Sequence, residues 1–248
     1  FSFQGNIESP VEGFSSLKKY KPNTITWVRN KETFNSFSNE DSPIFHLVVM
    51  PKEKIESTHI LNCIMVEDPK QTFFMILHEL FRSRNEEAII AESAIIEKGS
   101  IIGANPSIGH FSFIGANVII GLNCMIGNNV TIKGKVTIGD NFVIQSGSVI
   151  GEDGFAFSQE NGYPVHIPHF GGVKIGNNVQ IGSNVCIARG AIDDTIICDY
   201  VKVDNLVHIA HNCYIGKNTI IIPGTFIYGS VSIGENCWIS TSCIRDQL

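Results

Sequence analysis

The chain is predicted to be mainly β: a left-handed parallel β-helix of hexapeptide repeats preceded by a small α/β domain. Two observations predict this. Isoleucine recurs at every sixth position from Ile90 through Ile96, Ile102, Ile108, Ile114, Ile120, Ile126, Ile132, Ile138 and Ile144 to Ile150. A step of six fits neither the 3.6-residue turn of a helix nor the two-residue alternation of a long strand, so the unit is a short strand plus a corner. Each unit turns one branched apolar side chain inward, and stacked units pair as parallel strands about 4.8 Å apart. Residues 1–85, by contrast, show no such period and carry different punctuation.

Within residues 1–85, the segments Thr24 to Val28, Ile44 to Met50 and Ile60 to Val66 are rich in β-branched and apolar residues and are predicted strands. A short helix is expected from Asn30 through Phe37. Asp68-Pro69 opens a longer helix, with Asp at the cap and Pro in the first turn. Phe73, Leu77, Leu80 and Phe81 fall on one stripe of that helix and carry it to about Arg84. The join to the coil is placed near Asn85-Glu86-Glu87, giving a second domain over 86–248.

Inside the coil, Gly103, Gly109, Gly115, Gly121, Gly127, Gly139 and Gly151 follow the inward position and are small, while Asn at many turns tolerates left-handed φ. The ruler stops at Ile150 and returns at Ile175, Ile181 and Ile187. It then runs in a new phase through Ile197, Val203, Ile209, Ile215, Ile221, Ile227, Ile233 and Ile239. Residues 151–174 are therefore a loop excursion, and the ten-residue step from Ile187 to Ile197 requires a bulge in Ala188 to Ile196. Breaks in a regular scaffold are where a site is sought first.

Composition bounds the function. At 43% hydrophobic and 17% charged residues the chain reads as soluble and folded, and no apolar run reaches the roughly eighteen residues of a membrane span. The N-terminus lacks a basic region followed by an apolar stretch, so a cytoplasmic location is expected. The seven cysteines, at 63, 124, 186, 198, 213, 237 and 243, are odd in number and scattered, which predicts reduced thiols and no metal site. Ten basic residues balance ten acidic ones over 1–85, whereas 86–248 hold eight against fourteen, so the coil carries the whole net charge of -6. That argues against a nucleic-acid partner.

Two segments carry candidate chemistry. The excursion places Asp153, Phe155, Phe157, His166 and His169 off the coil, where they either wall a substrate or acyl cleft or cover a coil face or a neighbouring subunit. Further on, Asp204, His208 and His211 flank the inward residues Val203 and Ile209, and none occupies an inward slot. Such a histidine is either a solvated side chain or, near its neutral pKa, a group that moves a proton.

Taken together, GEDGFAF (151–157), RGAIDDT (Arg189 to Thr195) and DNLVHIAHN (Asp204 to Asn212) resemble the UDP-3-O-acylglucosamine N-acyltransferases of lipid A biosynthesis, over nearly the whole chain. The resemblance implies a uridine-binding N-terminal domain, a homotrimer with ligand clefts between neighbouring coils, and no tightly bound cofactor. The co-substrate would be an acyl-CoA or acyl-carrier-protein thioester, and the acceptor the amine of a nucleotide-linked sugar. It assigns His211 as general base, Asp204 as the acid that pairs with and orients it, and the N–H of Gly229, one coil of eighteen residues after His211, as oxyanion donor. It also matches Trp27 and Asn30 to the contacts for the nucleotide base, with Thr33 where the family has a second aromatic.

Some family features are missing. The family's second functional histidine falls at Leu248, its C-terminal helices that engage the acyl carrier protein are not in the sequence, and the six-period is expected to end on Ile239 because position 245 is Arg. These departures point either to a chain that continues further or to a shorter relative that uses acyl-CoA and modifies an amino sugar for a surface polysaccharide. The alternatives are a lipid A enzyme strictly using acyl carrier protein, a zinc hydratase on the same type of coil, and a non-catalytic binding protein. The hydratase needs a third coil histidine about a coil away from His208 and His211, and the sequence has none.

Overall fold

In the computed structural model, residues 1–5, 10–37, 42–53, 55, 57–81 and 88–244 are described. The chain divides into two compact units, Phe1–Asn85 and Glu86–Leu248.

The first unit is a five-stranded sheet in the order β1-β5-β4-β3-β2, formed by β1 (Ser2–Gln4), β2 (Gly13–Phe14), β3 (Thr24–Trp27), β4 (Phe45–Pro51) and β5 (Ile60–Val66). Alternation along β4 sends Val48 and Met50 to one cluster with Val28 and Phe34, which Phe45 joins at the start of the strand. Leu47 and Val49 join Ile25, Val66 and Phe73 in another. Helix α1 (Lys31–Asn35) starts where the Oδ1 of Asn30 accepts the Thr33 N–H at 2.8 Å. Helix α2 (Pro69–Phe81) starts where the Asp68 carboxylate accepts the Gln71 N–H at 2.9 Å, the cap its sequence predicts. The expected end of α2 at Arg84 lies outside the described residues. Strands β1 and β2 escape sequence reading because each is too short to show an alternation; β1 is placed only by antiparallel pairing with β5.

The second unit is a three-sided parallel β-helix. Among the described residues its faces are sheets of seven, seven and eight strands, and each ruler residue stacks on the one a coil away. One ladder runs Ile102, Ile120, Ile138, Ile175, Ile197, Ile215, Ile233. Both interruptions thus leave the isoleucine ladder in phase, although the pairing of Val149–Glu152 with Cys186–Ala188 shifts register between Ile150 and Glu152. A second inward column, two residues before each ruler position, is also fully buried: Ser112, Val118, Cys124, Val130, Val136, Phe142, Ser148. This is the two-residue alternation of each short strand, which the dominant six-period hides. Two serines of that column donate to corner carbonyls, Ser112 to Gly127 O at 2.7 Å and Ser148 to Gly182 O at 2.8 Å, whereas the buried Thr195 hydroxyl has no hydrogen-bond partner. Asn residues hold the left-handed corners, among them Asn123, Asn141, Asn178 and Asn212.

The coil does not end at Ile239. Cys243–Ile244 continues the ladder by pairing with Phe226–Ile227, and Ile244 packs on the core. The last step is five residues long, so the slot counted to Arg245 is taken by Ile244. Arg245 and Leu248 lie outside the described residues.

Candidate active site

Both breaks in the ruler leave the coil at one corner. Strands Val149–Glu152 and Cys186–Ala188 are neighbours in the eight-stranded sheet, and the chain leaving each returns as Val173–Ile175 and Thr195–Ile197, neighbours in a seven-stranded sheet. One coil further, the same corner bears Ala210-His211-Asn212, and the next bears Tyr228-Gly229-Ser230. Four stacked turns therefore build one edge of the prism, and the excursion folds beside His211.

The excursion is ordered by its own hairpin. Phe157–Glu160 and Tyr163–His166 pair antiparallel across Asn161-Gly162, both with positive φ (52° and 82°). Asn-Gly between short strands is the strongest local hairpin signal, and Asn161-Gly162 carries it in the sequence. The RGAIDDT segment clamps the base of the excursion. Asp194 accepts the Gly172 N–H at 2.8 Å and binds Lys174 at 2.8 Å, while Arg189 Nε donates to Gly171 O at 2.8 Å. The hydrogen bond from Lys174 holds the Asp194 carboxyl below its ordinary pKa, with the Gly172 N–H and Lys135 assisting against burial. Asn212 completes the clamp: it adopts φ 59° and its Oδ1 accepts the Ala191 N–H at 2.7 Å.

The result is a cleft of about 680 Å³ whose lining includes Asp153, Phe155, Phe157, His166, His208, His211 and Gly229. That volume suits a small-molecule site. His211 is wedged between two glycines. A Cβ on Gly229 would lie 2.6 Å from its Cε1 and 2.7 Å from its Nε2, and a Cβ on Gly154 would lie 2.8 Å from its Cδ2. Neither glycine has a left-handed φ, so the requirement is space rather than backbone freedom. The ring of His169 meets that of His211 edge to face at 5.3 Å. Burial, then the nearby His169, lowers the pKa of His211 from its ordinary value, which keeps the imidazole neutral and able to accept a proton. His208 is lowered by burial too, and its ring lies 6.4 Å from that of Phe226. The Gly229 N–H has no hydrogen-bond partner among the described residues.

Of the residues singled out from the sequence, Asp153, Phe155, Phe157, His166, His208, His211 and Gly229 meet in this cleft, with His169 against its wall. Asp204 does not. It follows strand Lys202–Val203, a corner earlier than His211, and its Oδ1 accepts the Asn205 N–H at 2.7 Å. It lines a separate cleft of about 270 Å³ with Gln145, Gln180 and Lys202. The expected Asp204–His211 pair is therefore not made within the chain; seven residues cross one corner, whereas side chains share a corner at intervals of a whole coil. Trp27 and Asn30 belong to the first unit, where the Trp27 ring packs against Phe73 at 6.5 Å and Asn30 caps α1. Sequence reading gave no role to Gly154, Arg189, Asp194 and Asn212. For Gly154 no local signal exists, since the atoms it must avoid belong to His169 and His211.

A parallel coil of hexapeptide repeats with His208 and His211 in a corner cleft marks the chain as a hexapeptide-repeat protein. Residues 99–134 match the bacterial transferase hexapeptide (six repeats) family, and residues 117–152 and 207–241 match the hexapeptide repeat of succinyl-transferase. Over 242 residues the chain is 41% identical to a UDP-3-O-acylglucosamine N-acyltransferase from Delftia acidovorans, covering 97% of this chain and 72% of that protein. It is 34% identical to a UDP-3-O-acylglucosamine N-acyltransferase 2 from Legionella pneumophila (strain Paris), covering 93% of this chain and 72% of that protein. The crystal structure of a UDP-N-acetylglucosamine acyltransferase superposes with a TM-score of 0.50 at 25% identity, over 62% of this chain and 64% of that one. The chain belongs to the UDP-3-O-acylglucosamine N-acyltransferase family, the N-acyltransferases of lipid A synthesis, and is an enzyme acting on a nucleotide amino sugar. The reading of a shorter polysaccharide-sugar relative rested on an acidic coil without carrier-binding helices; since the chain spans 72% of both relatives, the absence of those helices carries no weight. Among the described residues no helix is long and apolar enough to cross a membrane.

Proposed function

We propose that this enzyme moves an acyl group from a CoA or acyl-carrier-protein thioester to the sugar amine of a UDP-3-O-acylglucosamine, with His211 as general base. The observation that carries the proposal is His211 itself, held in the cleft by Gly154 and Gly229 with its proton affinity depressed by burial. The amine attacks the thioester carbonyl and forms the C–N bond, His211 accepts the proton the amine loses, and as the C–S bond breaks the imidazolium returns that proton to the leaving sulfur, which departs as the thiol. Negative charge on the carbonyl oxygen falls to the unpartnered Gly229 N–H. Phe155 and Phe157, with ring centroids 4.8 Å apart, and Phe226 make the cleft apolar enough for an acyl chain.

The first unit supplies the nucleotide contacts in this proposal. Trp27 offers a ring face, and Asn30, whose Oδ1 caps α1, offers its amide N–H₂ to a base carbonyl. The assembly is a homotrimer located in the cytoplasm. Because Asp204 stands a corner away from His211 in its own chain, it can orient a His211 only in a neighbouring copy.

The test is a mass-spectrometric transfer assay that crosses acyl-CoA and acyl-carrier donors with UDP- and dTDP-linked amino sugars, run on the parent and on His211→Ala. General base catalysis is typically worth about 10² to 10⁴ in rate, so the variant should lose at least about 10² in kcat. Turnover by His211→Ala within about threefold of the parent would remove His211 from the mechanism. Acylation only of dTDP-linked sugars would overturn the acceptor.

A further inference from the structure

The excursion also gathers, in the wall of the cleft, three groups to which the proposed acyl-transfer steps give no part. Asp153, His166 and His169 each present one ligand atom, and the three atoms lie within 4.8 Å of one another. His169 is buried, at 4% exposure, and its Nε2 has no hydrogen-bond partner. Its Nδ1 lies 3.0 Å from Ile167 O, so the ring donates there and leaves the Nε2 lone pair bare. A backbone carbonyl fixing one ring nitrogen while the other stays free is how proteins hold a metal-binding imidazole. The Nε2 faces the space over Gly154, beside Asp153, where a Cβ would come within 2.9 Å of it. Asp153 is oriented as well: Oδ1 faces Arg189 Nη1 at 3.9 Å, while Oδ2 faces the His169 N–H at 3.4 Å and His166 Nε2 at 3.9 Å.

We propose that Asp153, His166 and His169 form a binding site for one divalent transition-metal ion, of the zinc or cobalt type, in the wall of the cleft. Two imidazoles and one carboxylate select such an ion over magnesium or calcium, which prefer all-oxygen ligands. Ligands at about 2.0 to 2.2 Å from a tetrahedral ion stand about 3.3 Å apart, so the set closes by no more than about 1.5 Å. His166 supplies that movement, since its side chain is 43% exposed at the end of the two-stranded ribbon. His169 and Asp153 stay in place, held by the Ile167 carbonyl and by Arg189. The fourth position is left to solvent. His211 is outside the set, with its Nε2 turned to Gly229.

This cation site is independent of the acyl-transfer reading, and its test uses no acyl donor. The full chain, stripped with chelator, is titrated with Co²⁺ and followed by visible absorption, then challenged with Zn²⁺. One Co²⁺ per chain should bind with a ligand-field spectrum that Zn²⁺ abolishes. His166→Gln, on the exposed ribbon, and His169→Gln should each weaken binding by roughly tenfold or more, while His110→Gln, remote on the coil, leaves it unchanged. Proton NMR of the parent provides a readout free of folding effects: Zn²⁺ should shift the ring resonances of His166 and His169 but not of His110. No spectrum at one equivalent, binding unaltered by His166→Gln, or a response confined to other histidines would overturn the site.

Discussion

Replacing Gly229 by alanine should inactivate the enzyme by displacing its base while leaving the fold intact. The added Cβ would sit 2.6 Å from Cε1 and 2.7 Å from Nε2 of His211. Carbon atoms settle at about 3.5 to 4.0 Å, so the imidazole must retreat by about 1 Å. It cannot retreat freely, because Gly154 backs it on another side and the His169 ring stands at 5.3 Å. A misplacement of about 1 Å costs about 10² in rate, and that is the loss expected in kcat/KM. The backbone N–H of residue 229 survives in the variant, so the loss reports on the ring and not on the oxyanion donor. Gly234→Ala is the matched control, since a Cβ there meets only Cys237 Sγ at 3.9 Å. In a His211→Ala background the Gly229→Ala change should add almost nothing, because the ring it displaces is gone. Steady-state kinetics on the four variants, with circular dichroism to verify folding, decides the matter. A folded Gly229→Ala enzyme within about threefold of the parent, or full additivity with His211→Ala, would refute the reasoning.

Four further outcomes follow from the structure. With chelator present, the acid limb of kcat/KM should have its midpoint below 6.5, because burial and His169 lower the pKa of His211; activity is then kept as pH falls through 6.5 and lost only lower, and a midpoint at or above 6.5 in the pH profile contradicts this. Stability falls in the same direction but begins to fall at a higher pH: an unfolded His211 or His208 protonates at the ordinary value while the folded ones stay neutral, so denaturation midpoints should decline as pH drops below 6.5. Asp194→Ala removes the acceptor for the Gly172 N–H and the Lys174 ion pair, so hydrogen exchange should quicken across residues 151–172 and activity fall, with protection in the coil core unchanged; equal loosening of both regions would mean the clamp is not local. Cys213, whose thiol burial pushes up to about 11, should resist alkylation at pH 8 while the exposed Cys186 and Cys243 react, as peptide mass spectrometry will read.

The six-residue recurrence of isoleucine was sufficient for the coil because the information is local and repeated: each short strand carries its own inward residue, and stacking merely copies the instruction. The same ruler located both interruptions. It passed over the second inward column, which includes Val130, Phe142 and Ser148, because residue types vary there, and it misjudged the final coil, where a five-residue step brings Ile244 inward.

What the sequence determined by itself was the repeat fold, its period and the two breaks in it, because isoleucine spacing is written along the chain. Only the tertiary structure decided which residues meet. His169 and His211 are far apart in sequence yet their rings touch, because the excursion leaves and rejoins the coil at the corner that carries His211. Asp204 and His211 are seven residues apart yet occupy different corners. In a coil of eighteen residues per turn, proximity follows the corner and not the count along the chain, and a corner is fixed only when neighbouring turns hydrogen-bond into register.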